Sequence, residues 1–189
     1  MAVIGVSRSN DRHPANIVYN KAYLRYPIEV FAVNPRGGTL LGERVYTDIA
    51  EIPEKIDLAV IAVRADGVPD VLEQCIQNNV GGAAIISGGF AEAGRPDLQD
   101  RIVAIAREAD FPFIGPNCLG LYLPTVVDTF FLPGERMVQP DPGNARHAAA
   151  RWSRVPKPLC VPRACSTSPA QVRPVFLKSR RIPPSTPTR

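Results

Sequence analysis

The sequence predicts an α/β fold, a doubly wound parallel sheet, over residues 1–143, followed by a tail that belongs to no layer of it. Three observations carry that expectation. Short, nearly continuous apolar runs alternate with stretches of helical periodicity. The runs are of the kind buried on both faces, as in a parallel sheet covered by helices on each side. Most close at glycine, proline or asparagine, the residues that turn a strand back. Alternation at this spacing implies βαβ units with right-handed crossovers, hence a Rossmann-like sheet.

Ala2–Val6 reads as the first strand, ending in the turn Gly5-Val6-Ser7-Arg8. A helix is expected from Pro14, since proline suits a first helical turn, to about Tyr26. Ile28–Val33 is strand-like and closes at Asn34-Pro35-Arg36-Gly37-Gly38, and a short edge strand is expected around Val45-Tyr46. Asp57–Val63 (DLAVIAV) is the most continuous apolar run. Val68, Val71, Leu72, Cys75 and Ile76 then fall on one helical stripe. Gly82–Ile86 is the next strand, broken by Ser87-Gly88-Gly89. A helix follows Pro96 with Leu98, Ile102, Ile105, Ala106 and Ala109 on one face, and Phe111–Ile114 is the last clear strand, ended by Gly115-Pro116-Asn117.

The net charge of +4 conceals two unlike regions. Residues 1–143 hold 12 basic and 18 acidic side chains, whereas 144–189 hold 10 basic ones and no acid, with 8 of the 20 prolines. That tail has no amphipathic stripe and its composition predicts irregular or disordered chain. Its basicity suits phosphate attraction, but only Trp152 and Phe176 interrupt it, so nucleic acid is not an expected partner. No apolar run reaches the ~20 residues of a membrane span, and no secretory signal opens the chain. Four cysteines (Cys75, Cys118, Cys160, Cys165) without CxxC spacing, and two histidines (His13, His147), support neither disulfides nor a metal site. The cytoplasm is the expected compartment.

In an open parallel sheet, ligands bind beyond the carboxyl ends of the strands, near the switch in strand order. That directs attention to Gly5–Arg8, Asn34–Gly38, Val63–Asp66, Ser87–Phe90 and Gly115–Cys118. Small residues there let backbone amides approach a phosphate, and Arg8, Arg36 and Arg64 supply cations. The same glycines also serve as plain turns, and the arginines as solvated surface charges. Cys118 and Cys75 read as small buried residues rather than nucleophiles, and His13 as a solvated loop residue. A nicotinamide dinucleotide fits less well. Of GxGxxG only Gly5 is present, with Ser7 and Asn10 at the later glycine positions, and the second strand ends in Asn34-Pro35 rather than an acid for the ribose. A 3′-phosphoadenosine diphosphate, the head of coenzyme A, suits basic loops better.

The segments VIGVSR (Val3–Arg8), EVFAVNPRGG (Glu29–Gly38), GERVYTDIAEIPEKIDLAVIAV (Gly42–Val63), AAIISGGFAEAG (Ala83–Gly94) and FIGPNCLGL (Phe113–Leu121) occur in this order. Together they resemble the CoA-binding domain of the NDP-forming acyl-CoA synthetases, a family that includes the succinyl-CoA synthetase α subunit. The resemblance covers roughly residues 1–143 and implies coenzyme A as the ligand. It nominates Gly5, Ser7 and Arg8 for the CoA phosphates, and Asn34, Pro35 and Arg36 for the adenosine and its phosphate. Val63 and Arg64 correspond to a loop along the adenine–pantetheine path, where the family often has proline in place of Arg64. Ser87, Gly88, Gly89 and Phe90 resemble the loop near the pantetheine arm, and Asn117 and Cys118 the segment at the thiol end.

The resemblance also implies that ligation needs a phosphohistidine domain and an ATP-grasp module. Neither His13 nor His147 matches the phosphohistidine motif, so no catalytic residue is assigned. The chain is expected to bind CoA or acyl-CoA, to be inactive as a ligase by itself, and to depend on ligase domains or an ATP-grasp subunit elsewhere. Where the family continues after a stretch like ERMVQPDPGN (Glu135–Asn144), this chain turns Arg- and Pro-rich, which predicts an out-of-frame tail. Two alternatives stand beside this reading: a stand-alone CoA-binding regulatory protein, and an NAD(P)-binding oxidoreductase or redox-sensor domain.

Overall fold

The computed structural model describes residues 1–123 and 126–131. The expected tail 144–189, the boundary at 143, His147, Cys160 and Cys165 lie outside the described residues. Nine strands and three α-helices are found among those described: β1 (Ala2–Ile4), α1 (Pro14–Arg25), β2 (Phe31–Val33), β3 (Gly38–Leu40), β4 (Glu43–Tyr46), β5 (Ala59–Ile61), α2 (Val68–Gln77), β6 (Ala83–Ile85), α3 (Pro96–Glu108), β7 (Phe113–Ile114), β8 (Tyr122–Leu123) and β9 (Val127–Asp128). Seven strands form one sheet in the order β3-β4-β2-β1-β5-β6-β7, parallel throughout except for the β3–β4 hairpin. The chain leaves β1 for β2 on one side and later fills β5, β6 and β7 on the other. Strand order therefore reverses between β1 and β5, as a doubly wound sheet requires.

Period-two alternation divides the strands between two cores. Ala2 and Ile4 of β1, Ala59 and Ile61 of β5, and Ala83 and Ile85 of β6 face Val68, Leu72 and Cys75 of α2 and Leu98, Ile102 and Ala106 of α3. Val3, Ala32 and Val60 point the other way, onto Ala15, Val18 and Tyr19 of α1. Opposite directions of winding put α1 on one face and α2 and α3 on the other, because each crossover keeps the same hand. β1, β5 and β6 are thus buried on both faces. Burial pushes the Cys75 thiol up to about 12, which keeps it a protonated apolar packing group.

The structure departs from the sequence expectation at the sheet's margins. The strand expected around Val45-Tyr46 is present but is not the edge, because Gly38–Leu40 folds back over it as β3. The connecting residues Leu41 (φ +52°) and Gly42 (φ +84°) both take the left-handed region that a two-residue hairpin turn demands. The antiparallel pair β8–β9 was not anticipated. It is tied to α1 by a buried ion pair, Lys21 Nζ to Asp128 Oδ2 at 2.8 Å, and Lys21 also donates to the Phe130 carbonyl. The Phe130 N–H in turn donates to Asp128 Oδ1 at 2.9 Å.

Helix α1 starts on an unusual cap. The His13 backbone is extended, and its Nδ1 accepts the Ala15 N–H at 3.3 Å. Partial burial holds the imidazole below the ordinary histidine pKa, and only the neutral ring can accept this bond. The unfolded chain therefore takes up the proton first as pH falls. The cap's contribution is complete above about pH 6.5 and is lost as pH drops through the lower folded value. Denaturant unfolding at pH 7.5 and 5.5 should show lower stability at the lower pH from this group. His13→Asn, a cap that does not titrate, should remove that part of the difference; an unchanged difference would refute the assignment.

Candidate functional site

The carboxyl ends of β2, β1, β5, β6 and β7 carry five loops that touch in sequence along one rim of the sheet. At its centre is Gly5, with φ +98°. A Cβ there would lie 2.4 Å from the Ala62 carbonyl oxygen, so only glycine lets the β1 loop cross the end of β5. The β2 loop joins this crossing through Asn34, whose Nδ2 donates to the Val6 carbonyl at 2.6 Å and whose Oδ1 accepts the Arg36 N–H at 2.8 Å. Pro35 and Arg36 are exposed at the tip of that loop. Arg8 reaches from the β1 loop to the same place, with Nη1 3.5 Å from the Arg36 carbonyl oxygen.

Ser7 is held by groups on two sides. Its N–H donates to Asn16 Oδ1 at 2.6 Å and its carbonyl accepts from Asn16 Nδ2 at 2.8 Å. Its hydroxyl accepts the backbone N–H of Ser9 (3.3 Å) and of Asn10 (3.1 Å), which curls the loop back on itself. Asn16 is fully buried on the inward face of α1, and sequence reasoning did not single it out. No apolar stripe marked the inward face of α1, so the sequence carried no signal for it; in the structure Asn16 lies with Ala15, Val18, Tyr19 and Ala22, where an unpaired amide would be costly.

On the other side of the reversal, Val63 is partly buried and packs on the core, while Arg64 is exposed. Gly89 lies against Ala65, where a Cβ would come within 3.2 Å of the alanine methyl. Ser87 is buried, its Oγ donating to the Ile61 carbonyl at 3.3 Å. Its own carbonyl accepts the Asn117 N–H at 2.8 Å, which joins the β6 and β7 loops. Exposed Gly88 sits beside the Asn117 side chain, and Phe90 is fully buried. Cys118 is partly buried with Sγ 3.3 Å from the Ile85 carbonyl oxygen.

Two further contacts went unnoticed in the sequence. Glu92 Oε1 accepts the Gly89 N–H at 2.7 Å. Burial acts to raise this carboxyl, but amides of Gly89, Glu92 itself and Phe90 hold it below the ordinary range. Asp66 and Arg95 form a 2.7 Å ion pair that clips the β5 loop to the segment before α3, and the Arg95 bond holds Asp66 below the usual carboxylate range. Neither had a local motif, because each joins residues on different loops or within a turn of unpredictable shape.

The sequence-nominated residues thus lie on adjoining loops at the switch in strand order, with the Arg8 guanidinium reaching the main chain of Arg36. A groove lined by Glu73, Ile76, Gln77, Ile105, Glu108 and Ala109 opens between the C-terminal ends of α2 and α3, at the opposite rim. Among the described residues no group of His, Cys, Asp and Glu could hold a metal ion, and no helix is long and apolar enough to cross a membrane.

A doubly wound sheet with small-residue, arginine-bearing loops at its switch point defines a nucleotide-binding type of α/β domain. Residues 1–124, about two thirds of the chain, match the model of the CoA binding domain family, and the chain belongs to that family. It is 36% identical over 123 residues to the ADP-forming acetate–CoA ligase II of Archaeoglobus fulgidus, covering 64% of this chain and 18% of that protein. It is 38% identical over 122 residues to a prokaryotic trans-feruloyl-CoA synthase, covering 64% of this chain and 17% of that one. Among solved structures, acetyl-coenzyme A synthetase 1 of Candidatus Korarchaeum cryptofilum superposes with a TM-score of 0.65 at 30% identity, over 70% of this chain and 29% of that one. The chain therefore spans less than a fifth of the length of these curated relatives.

Proposed function

We propose that this chain binds coenzyme A at the rim formed by its β1, β2, β5, β6 and β7 loops, as the CoA-binding part of an ADP-forming acid–thiol ligase. The observation that carries the reading is the reach of the Arg8 guanidinium to the main chain of Arg36 beside the Gly5 crossing, which brings two arginine-bearing loops and their small residues together at one rim, an arrangement suited to phosphates. Gly5, Ser7, Arg8, Pro35 and Arg36 take the phosphates and the adenosine end. Val63 and Arg64 flank the path from adenine to pantetheine. Ser87, Gly88, Gly89 and Phe90 shape the pantetheine arm, and Asn117 and Cys118 stand at the thiol end. CoA is a substrate in this reading, and the described residues serve to hold it rather than to transform it.

The relatives named above act on different acids, acetate and trans-ferulate, yet match the chain to a similar degree. That pattern supports a domain specialised for the shared thiol rather than for the acid. Phosphoryl transfer and acid binding then come from other domains or a partner subunit.

Calorimetric titration with CoA, dephospho-CoA, NADH and NADPH tests the proposal. CoA should bind most tightly, with about a tenfold or greater loss on removal of the 3′-phosphate, the value of one charge-assisted contact. Preference for NADH would overturn it in favour of a redox domain.

A further inference from the structure

We propose that Asn34 is a positioning residue that braces the β1 and β2 loops against each other and so holds Arg8 and Arg36 together as one anion seat. The inference rests on the reading of these loops as the CoA phosphate site, and it assigns Asn34 a part other than direct contact.

The side chain of Asn34 acts at two points. Its donor end is spent on the Val6 carbonyl of the neighbouring loop, and its acceptor end on the Arg36 N–H of its own loop. The main chain is engaged as well: the Asn34 N–H donates to the Tyr46 carbonyl at 2.9 Å, and the Asn34 carbonyl accepts the Gly37 N–H at 2.8 Å. Asn34 is thus anchored to β4, closes the turn that carries Arg36, and reaches over to the strand end that carries Arg8. An aspartate would turn lone pairs toward the Val6 carbonyl.

Arg8 depends on that registration. Its side chain crosses onto the β2 loop and lies against Gly38, where a Cβ would come within 3.2 Å of Nε and 3.6 Å of Cζ. The place of the Arg8 guanidinium on the β2 loop is therefore set by how the two loops sit, not by either loop alone. Without a tie between them, the two loops are free to shift against each other when no anion is bound. A strut between the loops opposes that, and the site then loses less conformational freedom when a phosphate arrives.

Asn34→Ser separates the two functions of the side chain. A serine hydroxyl can still accept the N–H two residues on, which preserves the turn at Arg36, but it is too short to reach Val6. Affinities for CoA and dephospho-CoA are measured by calorimetry in four proteins: wild type, Asn34→Ser, Arg8→Ala/Arg36→Ala, and the triple variant, with melting temperature recorded for each. The expected result is about a tenfold loss of CoA affinity in Asn34→Ser, a loss of threefold or less for dephospho-CoA, and no further loss when Asn34→Ser is added to the arginine-free protein. An equal loss with and without the arginines would show that Asn34 touches the ligand independently. Unchanged CoA affinity in Asn34→Ser would show that the brace does nothing for binding. Either overturns the proposal. Should Arg8→Ala/Arg36→Ala itself bind CoA as well as wild type, the phosphate-site reading fails and the brace with it, an outcome told apart by the arginine variant alone. Asn34→Thr, which keeps the hydroxyl and favours extended backbone, replaces the serine variant if that chain does not fold, with the same outcomes deciding.

Discussion

Arg36→Glu should lower CoA affinity by about a hundredfold or more, with a clearly smaller effect on dephospho-CoA. The wild-type side chain stands exposed at the tip of the β2 loop, beside the carbonyl that Arg8 approaches. A charge-assisted hydrogen bond to phosphate contributes about 1.5–3 kcal/mol, and reversal of the charge adds repulsion to its loss. The substitution is at a solvated position whose backbone N–H, not its side chain, is held by Asn34, so the fold should tolerate it. Because the site is open to solvent, the difference between wild type and variant should shrink between 50 and 500 mM salt. Calorimetry at both salt concentrations checks this. A variant that binds CoA as tightly as wild type at low salt would remove Arg36 from the site.

Lys21→Ala should destabilise the folded protein by about 3–5 kcal/mol and lower its melting temperature by about 10 °C or more. Lys21 and Asp128 are both buried, and each has a second partner at Phe130, whose carbonyl accepts from Lys21 and whose N–H donates to Asp128. Removing the cation leaves a carboxylate in a dry site with one amide for company, which accounts for the size of the effect. Replacing both together, as in Lys21→Met/Asp128→Leu, should recover most of the loss, since a buried pair stabilises little relative to apolar groups of similar volume. Thermal and denaturant unfolding of the two single variants and the double variant decide the point. Additive losses would mean that the two side chains stabilise the protein separately.

Both predictions show where sequence reasoning reached and where it stopped. The parallel sheet was legible because β1, β5 and β6 are buried on both faces and so must be apolar throughout. Helices α2 and α3 were legible because one face of each meets the core and the other meets water. Helix α1 was placed by Pro14 rather than by any stripe. Two of its inward positions are polar, Asn16 and Lys21, and their partners Ser7 and Asp128 stand 9 and 107 residues away in the chain. Strand β3 was not expected: Gly38 read as the end of the turn and Thr39-Leu40 are too short a run to signal a strand, and only the pairing with β4 makes one.

The sequence by itself determined the fold class, the succession of the main strands and helices, and the loops that gather at one rim, because these follow from local periodicity and from where turns must fall. Only the tertiary structure decided which polar groups are spent inside the protein and which face outward. Asn34 and Ser7 stand in the nominated loops beside Arg8 and Arg36, yet the side chain of Asn34 and the backbone of Ser7 are engaged with neighbouring loops and α1, while the arginines remain at the exposed rim. That division depends on distances between segments that no local pattern encodes: a hydrogen bond needs its partner within about 3 Å, and only the folded chain brings Val6 to Asn34 or Asn16 to Ser7.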